Sequence, residues 1–405
     1  MGGWKASAVY DAGDFFQIFR DGVPRTRNEL ASMTGLSRPT VISRIDDLMG
    51  LDLVAAVSDA VSTGGRPSAR IAFNPSGRLV VSADVGATHI HVGICDLSGS
   101  VLADDSVAML VSQGPRPVLQ VVVELATSLL ESLRRDSAEV VAMGVGLPGP
   151  VDHATGRPTS PPIMPGWDGF DVPAHLRQSF DVPVLVDNDV NIMALGERAL
   201  SWPDADDLIF VKAATGIGAG IISDGTLRRG AKGGAGDVGH VFVQRAAGLA
   251  CRCGKTGCLE ALAGTPAIVR ALRDDGLELE TGAEVVDLVR QGNLDAARHV
   301  RESGRAIGEM LNACVSILNP SIIVVGGQLA QSGESLLAGI REEVYSHSSP
   351  LATRDLQIAQ SRSGSNAGIL GAGILAIEHV LSAAEINAVV QDRQSSRAEG
   401  SAALQ

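Results

Sequence analysis

At 405 residues the chain exceeds what one hydrophobic core supports, so two or three domains are expected. Its 46 acidic against 33 basic residues leave a net charge of −13, which excludes a general polyanion binder and confines any nucleic-acid contact to a local patch. No run of about 18 apolar residues occurs, so no membrane span is expected. The opening MGGWKASAVYDAGDFF carries no apolar signal segment, and with only five Cys this points to a reducing, cytoplasmic setting.

Residues 1–75 read as a separate DNA-binding unit. In TRNELASMTGLSRPTVISRIDDLMGLDLV, apolar residues recur at helical spacing (Leu30 and Met33, then Val41, Ile42, Ile45 and Leu48), interrupted at Thr34-Gly35-Leu36. Ser37 is placed as an N-cap with Pro39 early in the first turn of the second helix. Helix, short glycine turn, helix is the helix-turn-helix pattern, and the second helix is expected to expose Arg38, Thr40, Ser43 and Arg44 to a major groove. Two short strands then flank Thr63-Gly64-Gly65-Arg66-Pro67, a wing whose Arg66 suits a minor groove. Eight basic and eight acidic residues balance in this segment, so the net negative charge falls in residues 76–405. Any small helical domain with a hairpin shares the same outline.

From Leu79 the chain alternates strands, glycine turns and helices, an α/β pattern with ligand-binding turns at strand ends. Three turns suit a nucleotide. Asp84, Gly86 and Thr88 offer a carboxylate for hydrated Mg²⁺ and a close backbone, Thr215-Gly216-Ile217-Gly218 offers bare amides to phosphate, and Gly326-Gly327 can border an adenosine. Between them, VPVLVDNDVN passes from strand to helix. There Asp189 suits a general base and Asn188 a hydroxyl contact, although either residue can equally be a helix N-cap without chemistry. After about Val390 the apolar content ends, so residues 383–405 are expected to be a disordered tail.

The segment GHVFVQRAAGLACRCGKTGCLE places His240 upstream of Cys251, Cys253 and Cys258. Three thiols and one imidazole form a tetrahedral zinc set with every position filled, which points to a structural rather than a catalytic metal. A disulfide or unrelated buried thiols are the alternatives. Cys95 and Cys314 stand alone in apolar stretches and read as small hydrophobes.

The motifs DVGAT, LPGPVD, PGWDGFDVPAHL, VDNDVN with ALGE, TGIGAGI, GDVGH and CRCGKTGCLE resemble the ROK group of repressors, open reading frames and sugar kinases over about residues 15 to 380. The resemblance implies a two-lobed actin-like/hexokinase ATPase fold behind a winged helix-turn-helix, with lobes at 76–190 and 191–382 and the last helix returning to the first lobe. It implies a sugar or sugar phosphate held by Asn188, Asp189, Asp237, His240 and Glu260, with Asp189 as base and His240 shared between zinc and sugar. The winged helix marks the repressor branch, and a homodimer or homotetramer on operator DNA is expected. ATP and Mg²⁺ would enter only if kinase activity persists. Gly86-Ala87-Thr88 departs from the usual Gly-Gly-Thr, and Asp237 is one methylene shorter than the usual Glu. A sugar-responsive regulator is therefore the first expectation, with zinc shaping the pocket and relaying its state to the DNA-binding heads, and an ATP-dependent sugar kinase is the second.

Overall fold

A computed structural model describes residues 10–57 and 69–402, with side chains described to residue 396. The head begins with the helix Ala12–Gln17, followed by the helices Arg27–Thr34 and Arg38–Gly50. Thr26 caps the second of these in a reciprocal box with Glu29, Gly35 ends it at φ 71°, and the Ser37 side chain accepts from the Thr40 amide to start the third. Arg25–Thr26, Arg70–Phe73 and Val54–Val57 form a three-stranded sheet with Arg70–Phe73 in the middle. The wing tip, Arg66 included, lies outside the described residues. Leu30, Val41, Ile45 and Leu48 are buried as their spacing predicts, whereas Met33 and Ile42 are 53% and 45% exposed. Both fall off the stripe that is buried in the head's apolar core.

Two five-stranded sheets build the rest, and they share one topology. In the first, the meander Leu79–Val85, His89–Asp96, Val101–Ala108 is extended on the side of its first strand by Val140–Leu147 and Val184–Asn188, both parallel to it. In the second, the meander Leu208–Ala213, Ile217–Ser223, Thr226–Leu227 is extended in the same way by Ile322–Gly326 and Gln357–Gln360. This is the actin-like two-lobed plan of the sequence reading. The duplication itself was not foreseen, because it repeats strand order and not residues.

After its fifth strand each sheet sends a helix across to the other lobe. Asp189–Ser201 packs on the second sheet and Asn366–Val380 on the first, and the two helices cross. Their crossing is built from glycine. A Cβ on Gly196 would lie 2.0 Å from the Ala367 carbonyl oxygen, and one on Gly371 would lie 1.6 Å from that of Ile192. The contacts are reciprocal, each glycine meeting a carbonyl four residues before its counterpart. Gly144 lets the first sheet approach Ala372 just as closely, at 1.9 Å.

The segment expected to be a disordered tail is instead the helix Ala383–Ala402. Ile386 and Val390, one turn apart, enter the apolar core of the head, and that anchor outweighs the polar residues that follow. The same core contains Val80, Cys95 and Ala142 of the first lobe and Ile377 and Leu381 at the end of the returning helix. The Gly13 amide donates to Asn387 at 2.8 Å, Gln17 donates to the Leu381 carbonyl at 2.9 Å, and Arg20 pairs with Glu378 at 2.5 Å. Among the described residues, none from 240–260 belongs to this core.

Gly371→Ala is expected to destabilise the fold by roughly 3 kcal/mol or more, because the new methyl meets unyielding backbone. Gly234→Ala, with open space around its Cβ, should stay within about 0.5 kcal/mol of the parent. Urea denaturation of both variants checks the pair.

Candidate functional site

The lobes enclose a cleft of about 850 Å³ into which the ends of both sheets open. It brings together Asp84, Thr88, Asn188 and Asp189 from the first lobe and its crossing helix. The second lobe contributes Thr215, Gly216, Asp237, His240, Glu260 and the Gly326-Gly327 turn. Gly86 supports the site from behind: its amide donates to the His89 carbonyl at 2.9 Å, and a Cβ there would strike the His89 ring at 2.2 Å.

Asn188 is the N-cap of Asp189–Ser201. Its side-chain oxygen accepts from the Val190 amide at 2.9 Å, while its side-chain nitrogen donates to the Gly149 carbonyl at 2.8 Å. The capping reading therefore holds, and the same residue lines the cleft. Asp189 is buried and paired with Lys212 from the strand Leu208–Ala213. Asp84 is buried nearby, and burial followed by the Asp189 charge raises its pKa against the pull of Lys212. For Lys212, burial opposes the charge, but Asp189 and Asp84 outweigh it and raise its pKa. Nothing in the sequence around Lys212 marks this role. Asp187 was also missed, and it organises the strand end. Its two oxygens accept from the Asn188 amide (2.8 Å), Asn191 (2.7 Å) and Arg229 (2.6 Å).

The second glycine-rich turn is shorter than its sequence suggests. Gly218 and Gly220 sit in the strand Ile217–Ser223, paired with Lys212 and Phe210, so their backbone belongs to a sheet ladder and not to an open phosphate loop. Only Thr215-Gly216 forms the turn. Gly327 takes a φ of 85° at the mouth of its strand.

The four proposed metal ligands converge. His240 Nδ1 lies 3.6 Å from Cys251 Sγ, Cys253 Sγ lies 3.7 Å from Cys258 Sγ, and all four donor atoms fall within 4.8 Å of one another. Tetrahedral bonds of about 2.3 Å to sulfur place two thiolates about 3.8 Å apart, so the set fits a metal such as zinc. A disulfide is absent: all five cysteines are free. Gly254 and Gly257, at φ 85° and 84°, make the turn that aims the sulfurs inward. Burial and the neighbouring thiols push Cys258 up to about 12, a penalty on the thiolate that a bound divalent cation would remove. With Nδ1 facing the thiols, Nε2 of His240 points towards Asp237, 4.0 Å away. Glu260 follows Cys258 into a short helix and accepts from the Ile217 amide at 3.3 Å; burial raises its pKa against the pull of His240.

On the head, Arg38 and Ser43 are exposed and Thr40 is half-buried beside Ser37. Arg44 is half-buried and held by its own chain. Its Nε donates to the Tyr10 carbonyl at 3.2 Å and its guanidinium pairs with Asp47 at 3.7 Å, so it faces the segment before the first helix and not an open groove. Ile42, like Arg38 and Ser43, is exposed on the third helix.

Glu197, from the ALGE motif, is wholly buried. It accepts from the Ser361 hydroxyl at 2.7 Å and from the amides of Arg362 and Ser363 at 2.9 and 3.1 Å. It thereby fixes the loop that carries Gly364, Ser365 and Asn366 to the cleft wall.

A family model described as the ROK family matches residues 80–379. The xylose repressor of Bacillus spizizenii is 27% identical over 359 residues, covering 88% of this chain and 92% of that protein. A ROK family glucokinase from Streptomyces griseus, solved with glucose and AMPPNP, is 29% identical with a TM-score of 0.65, covering 74% of this chain and 99% of that one. A ROK family transcriptional regulator homologous to the Escherichia coli MLC protein shares the fold with a TM-score of 0.78 at 23% identity, over 94% of this chain and 98% of that one.

Burial alone would raise the Glu197 pKa, but its hydrogen bonds prevail and lower it. A lowered native pKa gives stability that is present above the unfolded value and lost as pH falls through the native one. Glu197→Gln should cost roughly 2 kcal/mol at neutral pH, because two backbone donors and one hydroxyl then share a single neutral acceptor. The gap to wild type should narrow below about pH 4. Denaturation at several pH values measures it.

Proposed function

The chain belongs to the ROK family, and from that premise we infer that it is a sugar-responsive, DNA-binding transcriptional regulator that represses genes of carbohydrate metabolism. The observation that carries this reading is the winged head fused to a cleft-bearing body, together with similarity to xylose repressors over 88% of the chain. No single described helix is long and apolar enough to cross a membrane.

In this reading the cleft holds a sugar by its hydroxyls. Asn188 keeps one amide hydrogen free beside the bond it gives to Gly149. Asp189 and Asp237 act as acceptors, Glu260 receives a further hydroxyl, and His240 donates from Nε2. Bound through Nδ1 to zinc alongside Cys251, Cys253 and Cys258, His240 keeps its other nitrogen protonated and its ring fixed. The zinc supplies rigidity and no open coordination position. Sugar shifts the lobes only if it binds their two arrangements with different affinity. A homodimer on a two-fold operator would place two heads, each reading DNA through Arg38, Thr40, Ser43 and the Arg66 wing.

A second reading, an ATP-dependent sugar kinase, is supported by Asp84, Thr88 and Asp189 in one cleft and by likeness to a glucokinase. There Asp189 would take the proton of the attacking hydroxyl while Mg²⁺ screens the phosphates. Coupled ATP turnover across a sugar panel, with Asp189→Asn as control, tests it.

Arg38→Ala should weaken operator binding about tenfold in a mobility-shift assay. Arg44→Ala should leave that affinity within about twofold and instead lower thermal stability, since its partners are internal.

A thermal-shift sugar panel should identify a ligand that raises the melting temperature. Cys253→Ser should release zinc, measured by metal analysis, and reduce affinity for that sugar about tenfold or more. Sugar affinity unchanged in the zinc-free variant would remove the metal from the pocket's architecture.

A further inference from the structure

Two buried carboxylates and a half-buried ammonium line the same part of the cleft. Asp84 ends a strand of the first lobe, Asp189 opens the crossing helix, and Lys212 reaches from the first strand of the second sheet to contact the Asp189 carboxylate. Asp84 lines the same cleft wall as Asp189, Lys212, His89 and His91. Two buried carboxylates in one place require a compensating cation. In phosphoryl transfer that cation is Mg²⁺, which needs six oxygens at about 2.0–2.1 Å and keeps several of its waters. Two sides of such a site are already taken. Lys212 already neutralises Asp189, and on the other side of Asp84 the returning helix packs so tightly that a Cβ on Gly368 would lie 1.9 Å from Asp84 Oδ2.

We propose that Lys212 is a built-in cation whose ammonium takes the electrostatic place of Mg²⁺ between Asp84 and Asp189, so that the cleft reads its sugar without a metal nucleotide. Asp189 is then a paired hydrogen-bond acceptor and not a free base, and Lys212 decides between sensing and phosphotransfer. The pair also ties the second lobe to the start of the crossing helix, a link that a nucleotide would otherwise provide. This rests on the sugar-reading cleft proposed above.

The test uses zinc-loaded full-length protein with Mn²⁺ as the probe, read by electron paramagnetic resonance, and Mg²⁺ in thermal shift. Wild type should bind no Mn²⁺ that Asp84→Asn removes. Lys212→Met should gain an Asp84-dependent Mn²⁺ site, and Mg²⁺ should raise its melting temperature by about 3 °C or more where NaCl of equal ionic strength does not. Wild-type Mn²⁺ binding abolished by Asp84→Asn, or a folded Lys212→Met that gains no site, overturns the proposal. Should Lys212→Met fail to fold, the wild-type and Asp84→Asn comparison decides alone. Sugar stabilisation of wild type that needs Mg²⁺ and AMPPNP also overturns it. A panel in which no sugar acts under any condition instead sinks the sugar-reading cleft, and the metal comparison still stands.

Discussion

The reciprocal crossing of Asp189–Ser201 and Asn366–Val380 is the constraint on which the rest depends. Each helix leaves the sheet that ends before it and packs on the sheet of the other lobe, so the two lobes are held by exchanged elements. Backbone meets backbone at Gly196 and Gly371 without intervening side chains, which fixes where the N-terminal turn of each helix emerges. Asp189 and Asn188 lie at one such turn and Asn366 and Gly368 at the other, and all four line the cleft. The site is thus a by-product of the way the lobes are joined.

Its charges follow the same logic. Asp84, Asp187, Asp189 and Glu197 are all buried, and water does little to solvate them. Each of the last three is met by a cation or by several donors: Arg229 with Asn191, Lys212, and the Ser361 to Ser363 loop. Among the described residues no hydrogen-bond donor or ion-pair partner reaches Asp84, and burial followed by the Asp189 charge raises its pKa. Removing any single cation here would strand a carboxylate, so the partners act as sets.

Much of this was legible in the residues. Thiols and imidazole at close spacing have few uses, so His240, Cys251, Cys253 and Cys258 were grouped correctly before any fold was known. Ser37 and Gly35 carried the head's helix boundaries, because capping chemistry is local. Lys212 and Glu197 are not legible for the opposite reason: their partners lie 23 and 164 or more residues away, and nothing local marks them. Gly218 misled because glycine in a strand, tolerated here by the close approach of Val190, looks the same in sequence as glycine in a phosphate loop. The final helix escaped notice since two apolar residues, Ile386 and Val390, suffice when a partner surface already exists.

The head and the first lobe share one continuous apolar core, closed by Ile377, Leu381, Ile386 and Val390. In this arrangement the DNA reader and the first lobe are packed as one unit, with no polar seam between them in that core. What lobe closure can alter is where that rigid unit stands relative to the second lobe. In an assembly joined through second lobes, the regulated quantity would be the distance and phase between two fixed readers. A recognition surface held in that way could then be switched by spacing alone, with the operator's half-site separation as the gauge.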